Sequence, residues 1–272
     1  MNEVEVYYFS GTGNSLYAAK ELQKRIPEIK LIPIVSLLDK DKIKASVKKI
    51  GFVFPLYFTT VPVPVRNFIR RLDLSSAEYI FAVITRLGTW SYANIGLEEI
   101  LKNKGKKLNS YFHLKMANNS PTGLKPGPGD KNWIKKTTKE KILKMDTDIR
   151  SDLDMIQRVI KNNENYPAKK AACLSRFFGN FFSKLTENNN AEIPYYIDST
   201  CTGCGTCENV CLSKKIKLVD KKPIWQKDIQ CYYCYACFNF CPEQAILHKK
   251  YKLKTGRYFH PGILAKDIAG QK

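Results

Sequence analysis

The chain has 272 residues, 44% of them hydrophobic, and a formal net charge of +20. That content suffices for a packed core in one large or two smaller domains, and charge of this size speaks to partners and not to fold. No run reaches membrane-spanning length, since IGFVFPLYF (50–58) is short and holds Pro55, and the opening MNEVEV does not read as a signal peptide, so a soluble, cytoplasmic protein is expected. In chain order, EVEVYYF (3–9) is a predicted strand and NSLYAAKELQKRI (14–26) an amphipathic helix. KLIPIV (30–35) is a short strand, and KKIGFVFPLY (48–57) contains a third. VPVRNFIRRL (63–72) reads as a helix opened by prolines, and YIFAVIT (79–85) as a buried strand. YANIGLEEILKNKG (92–105) is a helix with a glycine stop, KLNSYFHLKMA (107–117) a fifth strand, and a last helix runs from Trp133 to about Lys161.

Apolar strands separated by helices mean a parallel sheet covered on both faces. Between the first strand and helix lies YYFSGTGNS (7–15). It lacks the third glycine of a dinucleotide fingerprint, because Leu16 stands there, and it lacks the Lys-Ser/Thr pair of a triphosphate loop. Ser10, Gly11, Thr12, Gly13, Asn14 and Ser15 instead offer hydroxyls, an amide and free N–H groups at a helix start, a set suited to one terminal phosphate. An ordinary βα turn with a Ser or Asn cap would use the same residues.

Five strands with such a loop after the first fit the flavodoxin-like doubly wound fold, order 2-1-3-4-5, whose ligand sits outside the carboxyl ends of the strands. Three more segments then reach the site: PLYFTTVP (55–62), TRLGTWSYAN (85–94) and NNSPTGLKPGPGD (118–130). Tyr57, Phe58, Trp90 and Tyr92 can stack on a flat ring or simply pack at the rim. The last segment is a Gly- and Pro-rich loop of the kind that is functional, mobile or a plain linker.

The three segments YYFSGTGNS, FPLYFTTVPVPV and TRLGTWSYAN resemble the flavin-contacting loops of flavodoxins over residues 1–165. The resemblance implies a site for flavin mononucleotide (FMN) built from Ser10 to Ser15, Pro55, Leu56, Tyr57, Phe58, Thr85, Leu87, Gly88, Trp90 and Tyr92. Flavodoxins tend to surround the flavin with acids. Here the loops carry Arg86 and no acid, so the fully reduced flavin is expected to be easier to reach.

Eight of the nine cysteines lie between 201 and 241, which in a cytosolic chain argues for metal or redox chemistry over disulfides. CTGCGTCENVC (201–211) and CYYCYACFNFCP (231–242) both read C-x₂-C-x₂-C-x₃-C, the bacterial two-cluster ferredoxin pattern in which the fourth cysteine of each run serves the other cluster. One [4Fe–4S] cluster is expected on Cys201, Cys204, Cys207 and Cys241, the other on Cys231, Cys234, Cys237 and Cys211. Zinc sites use paired C-x₂-C units and do not need a third cysteine at the same spacing, twice. Leu212 replaces the proline that follows Cys241 as Pro242. Tyr232, Tyr233, Tyr235, Phe238 and Phe240 are expected to pack over the clusters.

Together the halves resemble the flavodoxin–ferredoxin fusions of anaerobes, described as electron-transfer proteins. The expected domains are 1–165 for the flavin, an amphipathic connector at 166–190 holding the lone Cys173, 191–250 for the clusters, and a tail at 251–272 without assigned chemistry. With both clusters and the flavin phosphate counted, the protein stays basic at about +14. Acidic redox proteins are therefore the expected partners. The scattered lysines suit a solvated surface better than nucleic-acid readout, and membrane-surface attachment through the connector is the lesser reading. No second glycine fingerprint provides an NAD(P)H site, and His113 and His248 receive no catalytic role. An FMN-dependent reductase of a quinone or nitro compound is the alternative, and a redox sensor or basic nucleic-acid binder the third.

Overall fold

The computed structural model describes residues 3–88, 91–119, 139–168, 195–248 and 257–272. Its first layer is a five-stranded sheet of β1 (Val4–Tyr8), β2 (Ile29–Pro33), β3 (Lys49–Pro55), β4 (Tyr79–Arg86) and β5 (Ser110–Lys115). All neighbours are parallel, in the order β2-β1-β3-β4-β5. This is the flavodoxin-like doubly wound arrangement, with a switch point between β1 and β3. The helices are α1 (Asn14–Arg25), α2 (Val63–Arg71), α3 (Ala93–Lys102) and α4 (Lys139–Lys161). The predicted start of α4 at Trp133 lies outside the described residues.

Burial explains the strands. Every residue of β1 is buried, and β4 is buried from Tyr79 to Thr85, as a sheet covered on both faces requires. The one buried acid of β1, Glu5, accepts from the Tyr7 hydroxyl at 2.8 Å and from the Ser46 hydroxyl at 2.6 Å, so it carries no unmet demand. A separate short parallel ladder, Ile43–Lys44 with Leu72–Asp73, ties the segment after β2 to the end of α2.

Gly51 marks a close approach in the central strand. A Cβ there would lie 2.3 Å from Cζ of Phe81, its partner in the register with β4. Gly51→Ala is expected to destabilise by about 1–3 kcal/mol, the usual cost of overpacking. Because the clash is with a ring and not backbone, Phe81→Leu in the same chain should recover part of that loss. Thermal unfolding of the two single variants and the double variant measures the non-additivity.

The second layer is small. β6 (Tyr195–Ile197) pairs antiparallel with β9 (Ile246–His248), and β7 (Ile216–Val219) with β8 (Lys222–Trp225). Between them run two single-turn helices, α5 (Thr206–Asn209) and α6 (Ala236–Asn239), and α7 (Ala265–Ala269) follows near the end of the chain. The two layers share one core: Val210, Leu212, Ala236, Phe240, Ile263 and Ile268 join the apolar cluster of the large sheet. No helix among the described residues is long and apolar enough to cross a membrane.

Candidate functional site

A cavity of about 410 Å³ opens outside the carboxyl ends of β1, β3 and β4, a size typical of small-molecule sites. The first loop contributes Ser10, Gly11, Thr12, Asn14 and Ser15, the second Pro55, Leu56, Tyr57 and Thr59, and the third Thr85, Arg86, Leu87 and Gly88. Ala117, Asn118 and Asn119 close it from the end of β5. No carboxylate lines it among the described residues, and Arg86 supplies its charge.

The first loop is arranged as a donor cradle. The N–H groups of Thr12, Asn14 and Ser15 make no hydrogen bond among the described residues. They are the orphan donors of a helix start, where the dipole also favours an anion. The Ser10 hydroxyl accepts from Gly13 N–H at 3.2 Å, and the Thr12 hydroxyl from the Asn119 amide at 2.6 Å, so both hydroxyl protons stay available to donate. Ser15 and Thr85 hydroxyls lie 2.7 Å apart and tie this loop to β4. These donors fit a phosphate monoester.

Eleven of the expected residues line this cavity, three described ones do not, and one is not described. Gly13 takes φ 103° at the cap of α1 and turns its back on the cavity, with Ile263 and His260 behind it. Trp90 lies outside the described residues. Phe58 and Tyr92 are described and are not among the residues that line it. The chain reverses over Phe58 and Thr59, both at positive φ (47° and 63°), in a turn closed by paired Tyr57–Thr60 backbone bonds. That turn sends Tyr57 inward, 7% exposed, and Phe58 outward at 47%, against Tyr233. The Tyr92 N–H donates to the Thr59 carbonyl of the same turn at 2.7 Å.

Sequence reasoning missed the support behind the first loop. The Gln271 side chain accepts from Ser10 N–H at 3.0 Å and donates to the Ser10 carbonyl at 2.8 Å, fully buried. His260 N–H donates to the Thr12 carbonyl at 2.8 Å, and the Tyr258 hydroxyl to Asn14 Oδ1 at 2.8 Å. The tail is thus the brace of the loop. It is also tied to the second layer, since Arg257 donates to the carbonyls of Phe238, Gln244 and Ile246. Tyr258, His260 and Gln271 carry no local pattern that would have marked them.

At the rim, Arg86 donates to His113 Nδ1 at 3.0 Å. Because arginine only donates, the His113 proton must sit on Nε2, facing the Tyr111 hydroxyl at 3.1 Å, which in turn meets Ser91 at 3.3 Å. Burial, then the Arg86 charge, pushes His113 down to about 4, and burial lifts Tyr111 to about 12. A histidine held neutral in the fold contributes stability that is complete above its unfolded value near 6.5 and is lost as pH falls towards 4. Partial exposure keeps the effect to roughly 1–2 kcal/mol. The shift in melting temperature between pH 7.5 and pH 5 is expected to shrink in His113→Gln.

The cysteines fall into two groups that cross between the runs. Cys201, Cys204, Cys207 and Cys241 line one cavity, with Gly203, Thr206 and Pro242. In the other group Cys231, Cys234 and Cys237 all feel the Cys211 thiol. Burial, opposed by a backbone N–H and reinforced by neighbouring thiols, pushes Cys207 and Cys231 up to about 11. Exposed Cys204 is lowered, chiefly by the Thr206 hydroxyl. Thiols crowded and buried in this way become thiolates together only around cations, so the donor set fits a metal–sulfur group. Among the described residues no three His, Cys, Asp or Glu side chains converge on a single-ion site.

The two sites touch. A Cβ on Gly11 would stand 2.4 Å from the Cys234 carbonyl oxygen, 2.7 Å from Cys234 Cβ and 2.6 Å from the Tyr57 hydroxyl. Tyr57 lines the large cavity and also a crevice with Cys231, Tyr232 and Tyr233. Its hydroxyl lies close to Gly11 N–H without a well-formed bond. Tyr232 packs edge-on against Phe9, and Phe240 stacks on Phe259, so part of the aromatic set expected over the clusters fills the seam between the layers.

A family model for a 4Fe-4S dicluster domain matches residues 200–246, the stretch that holds both cysteine runs. No curated protein matches the chain. Among solved structures, a protein provisionally described as a flavoprotein, from Bacteroides uniformis ATCC 8492, is similar at 18% identity. The match covers 43% of this chain and 92% of that one with a TM-score of 0.34, a likeness too slight to bear on the ligand.

Proposed function

We propose that the chain is an electron-transfer protein that passes electrons between two [4Fe–4S] clusters and FMN. The observation that carries this reading is the contact of Gly11 with Cys234, which sets the donor cradle against one cysteine group with no room for a side chain between them. Bound clusters exchange single electrons, and FMN accepts them singly and can release a pair. The chain's own residues do the rest. Ser10, Thr12, Asn14 and Ser15 hold the phosphate, and Pro55, Leu56, Tyr57, Leu87 and Gly88 flank the ring system. Arg86 sets a positive field at the cavity rim, which favours added electrons. Cys201, Cys204, Cys207 and Cys241 hold the outer cluster. Cys231, Cys234, Cys237 and Cys211 hold the inner one. Covalent fusion keeps one carrier at high effective concentration beside the other. Reducing power then arrives by contact with a redox protein, and the basic chain favours an acidic one.

Anaerobic purification with iron, sulfide and flavin analysis tests this. About eight irons and one FMN per chain are expected; about four irons, or no FMN after reconstitution, would overturn it.

One observation favours a second reading, reduction of a small organic compound at the flavin. A neighbouring cavity of about 720 Å³, lined by Ser91, Asn94, Tyr111, His113 and Asp152, shares Arg86 with the first. Saturable reoxidation of the reduced protein by a soluble quinone would support it, and a rate linear in quinone up to high concentration would count against it.

A further inference from the structure

Lys215 is buried, 7% exposed, immediately before β7. Its neighbours Lys214 and Lys217 pair with Asp39 at 2.9 Å and Glu208 at 3.4 Å, whereas Lys215 has no carboxylate partner among the described residues. A lysine is seldom buried without a counter-charge. Its Nζ donates to the Gln226 carbonyl at 2.5 Å and to that of Ile229, which fixes the head group beside the chain two residues before Cys231. The missing counter-charge is therefore the sulfur set around Cys231. The other set has a carboxylate instead: Glu243 lines the cavity of Cys201, Cys204, Cys207 and Cys241. Arg257 stands near Cys241 and Cys237, one in each set, and does not separate them.

On the reading that both sets hold clusters, we propose that Lys215 keeps the inner, Cys231 centre at a higher reduction potential than the outer, Cys201 centre, so that electrons enter beside exposed Cys204 and run inward to the flavin. Reduction makes an iron–sulfur group more negative. A fixed positive charge in a buried site favours that state, and a carboxylate disfavours it. Each transfer moves one electron, from a low-potential one-electron carrier protein to the outer set and from there to the inner set, with no bond or proton moved. Lys215 is a positioning and tuning residue, and it need touch neither flavin nor substrate.

The test is a potentiometric titration of the cluster-loaded protein followed by electron paramagnetic resonance, which reads potentials and not turnover. Lys215→Met is expected to lower the midpoint of one centre only, narrowing or inverting the gap between the two. Lys215→Arg, which keeps the charge, should restore the gap. Glu243→Gln, at the exposed rim, should raise the midpoint of the other centre and so serves even where Lys215→Met fails to fold. Two centres that both move together with Lys215→Met, or a Glu243→Gln protein whose midpoints are unchanged, would overturn the proposal. These outcomes are separate from failure of the electron-carrier reading, which would appear as a missing second centre or missing FMN.

Discussion

Gly11→Ala is expected to weaken FMN binding by about fivefold or more and to loosen the inner cysteine loop at the same time. The new methyl group would stand 2.4 Å from a backbone carbonyl and 2.6 Å from a buried hydroxyl. Neither is the free end of a flexible chain, so the backbone on one side must move. Overpacking of this kind costs about 1–3 kcal/mol. Felt at the binding site, that is about five- to a hundred-and-fiftyfold in affinity. The loop cannot yield backwards, because Gln271, His260 and Tyr258 hold Ser10, Thr12 and Asn14 from behind. Gly96→Ala is the control: its Cβ meets Thr60 and Val61 at 3.9 Å, ordinary contact within α3. It is expected to leave FMN binding unchanged and to raise stability by about 0.5–1 kcal/mol. Flavin fluorescence titration of the three proteins decides the matter. Equal affinity in Gly11→Ala would show that the two loops are not in the contact described.

Cys234→Ala should separate the two halves of the electron path without separating the two layers. Alanine keeps the carbonyl and the Cβ that touch Gly11 and removes only the sulfur. About four irons should be lost, those of the inner centre, while the outer centre and FMN stay bound. Electrons supplied by an external protein would then reach the flavin only by direct encounter, and flavin reduction should slow on the order of a hundredfold. Iron analysis with rapid-mixing absorbance checks both parts. Loss of all iron would instead mean that the cysteine groups do not divide as described.

Much of this was legible in the sequence because its signals are local. Alternating apolar strands and amphipathic helices indicate a parallel sheet covered on both faces, and the phosphate-type loop after the first strand fits the order 2-1-3-4-5. Two C-x₂-C-x₂-C-x₃-C runs carry their own crossing pattern, and Cys201 with Cys204, Cys207 and Cys241 share one cavity as the spacing implies. What escaped depends on contacts between distant residues or on backbone strain. Gln271 reaches Ser10 across 261 positions. Phe58 and Thr59 reverse the chain at positive φ without a glycine to announce it, so Phe58 was expected in the cavity and lies outside it. Gly11 read as a phosphate-loop glycine, yet the space it leaves is filled by the cysteine loop. That requirement appears only when both layers are seen together.

The central claim is that electrons pass between the inner cysteine centre and the flavin within one chain. Anaerobic rapid mixing of the fully loaded protein with less than one equivalent of a low-potential reductant tests it directly, with cluster and flavin absorbance followed separately. The account predicts that the cluster signal changes first and that the flavin signal then follows at a rate independent of protein concentration. A flavin rate that rises in proportion to protein concentration, or a flavin that stays oxidised beside reduced clusters, would contradict it.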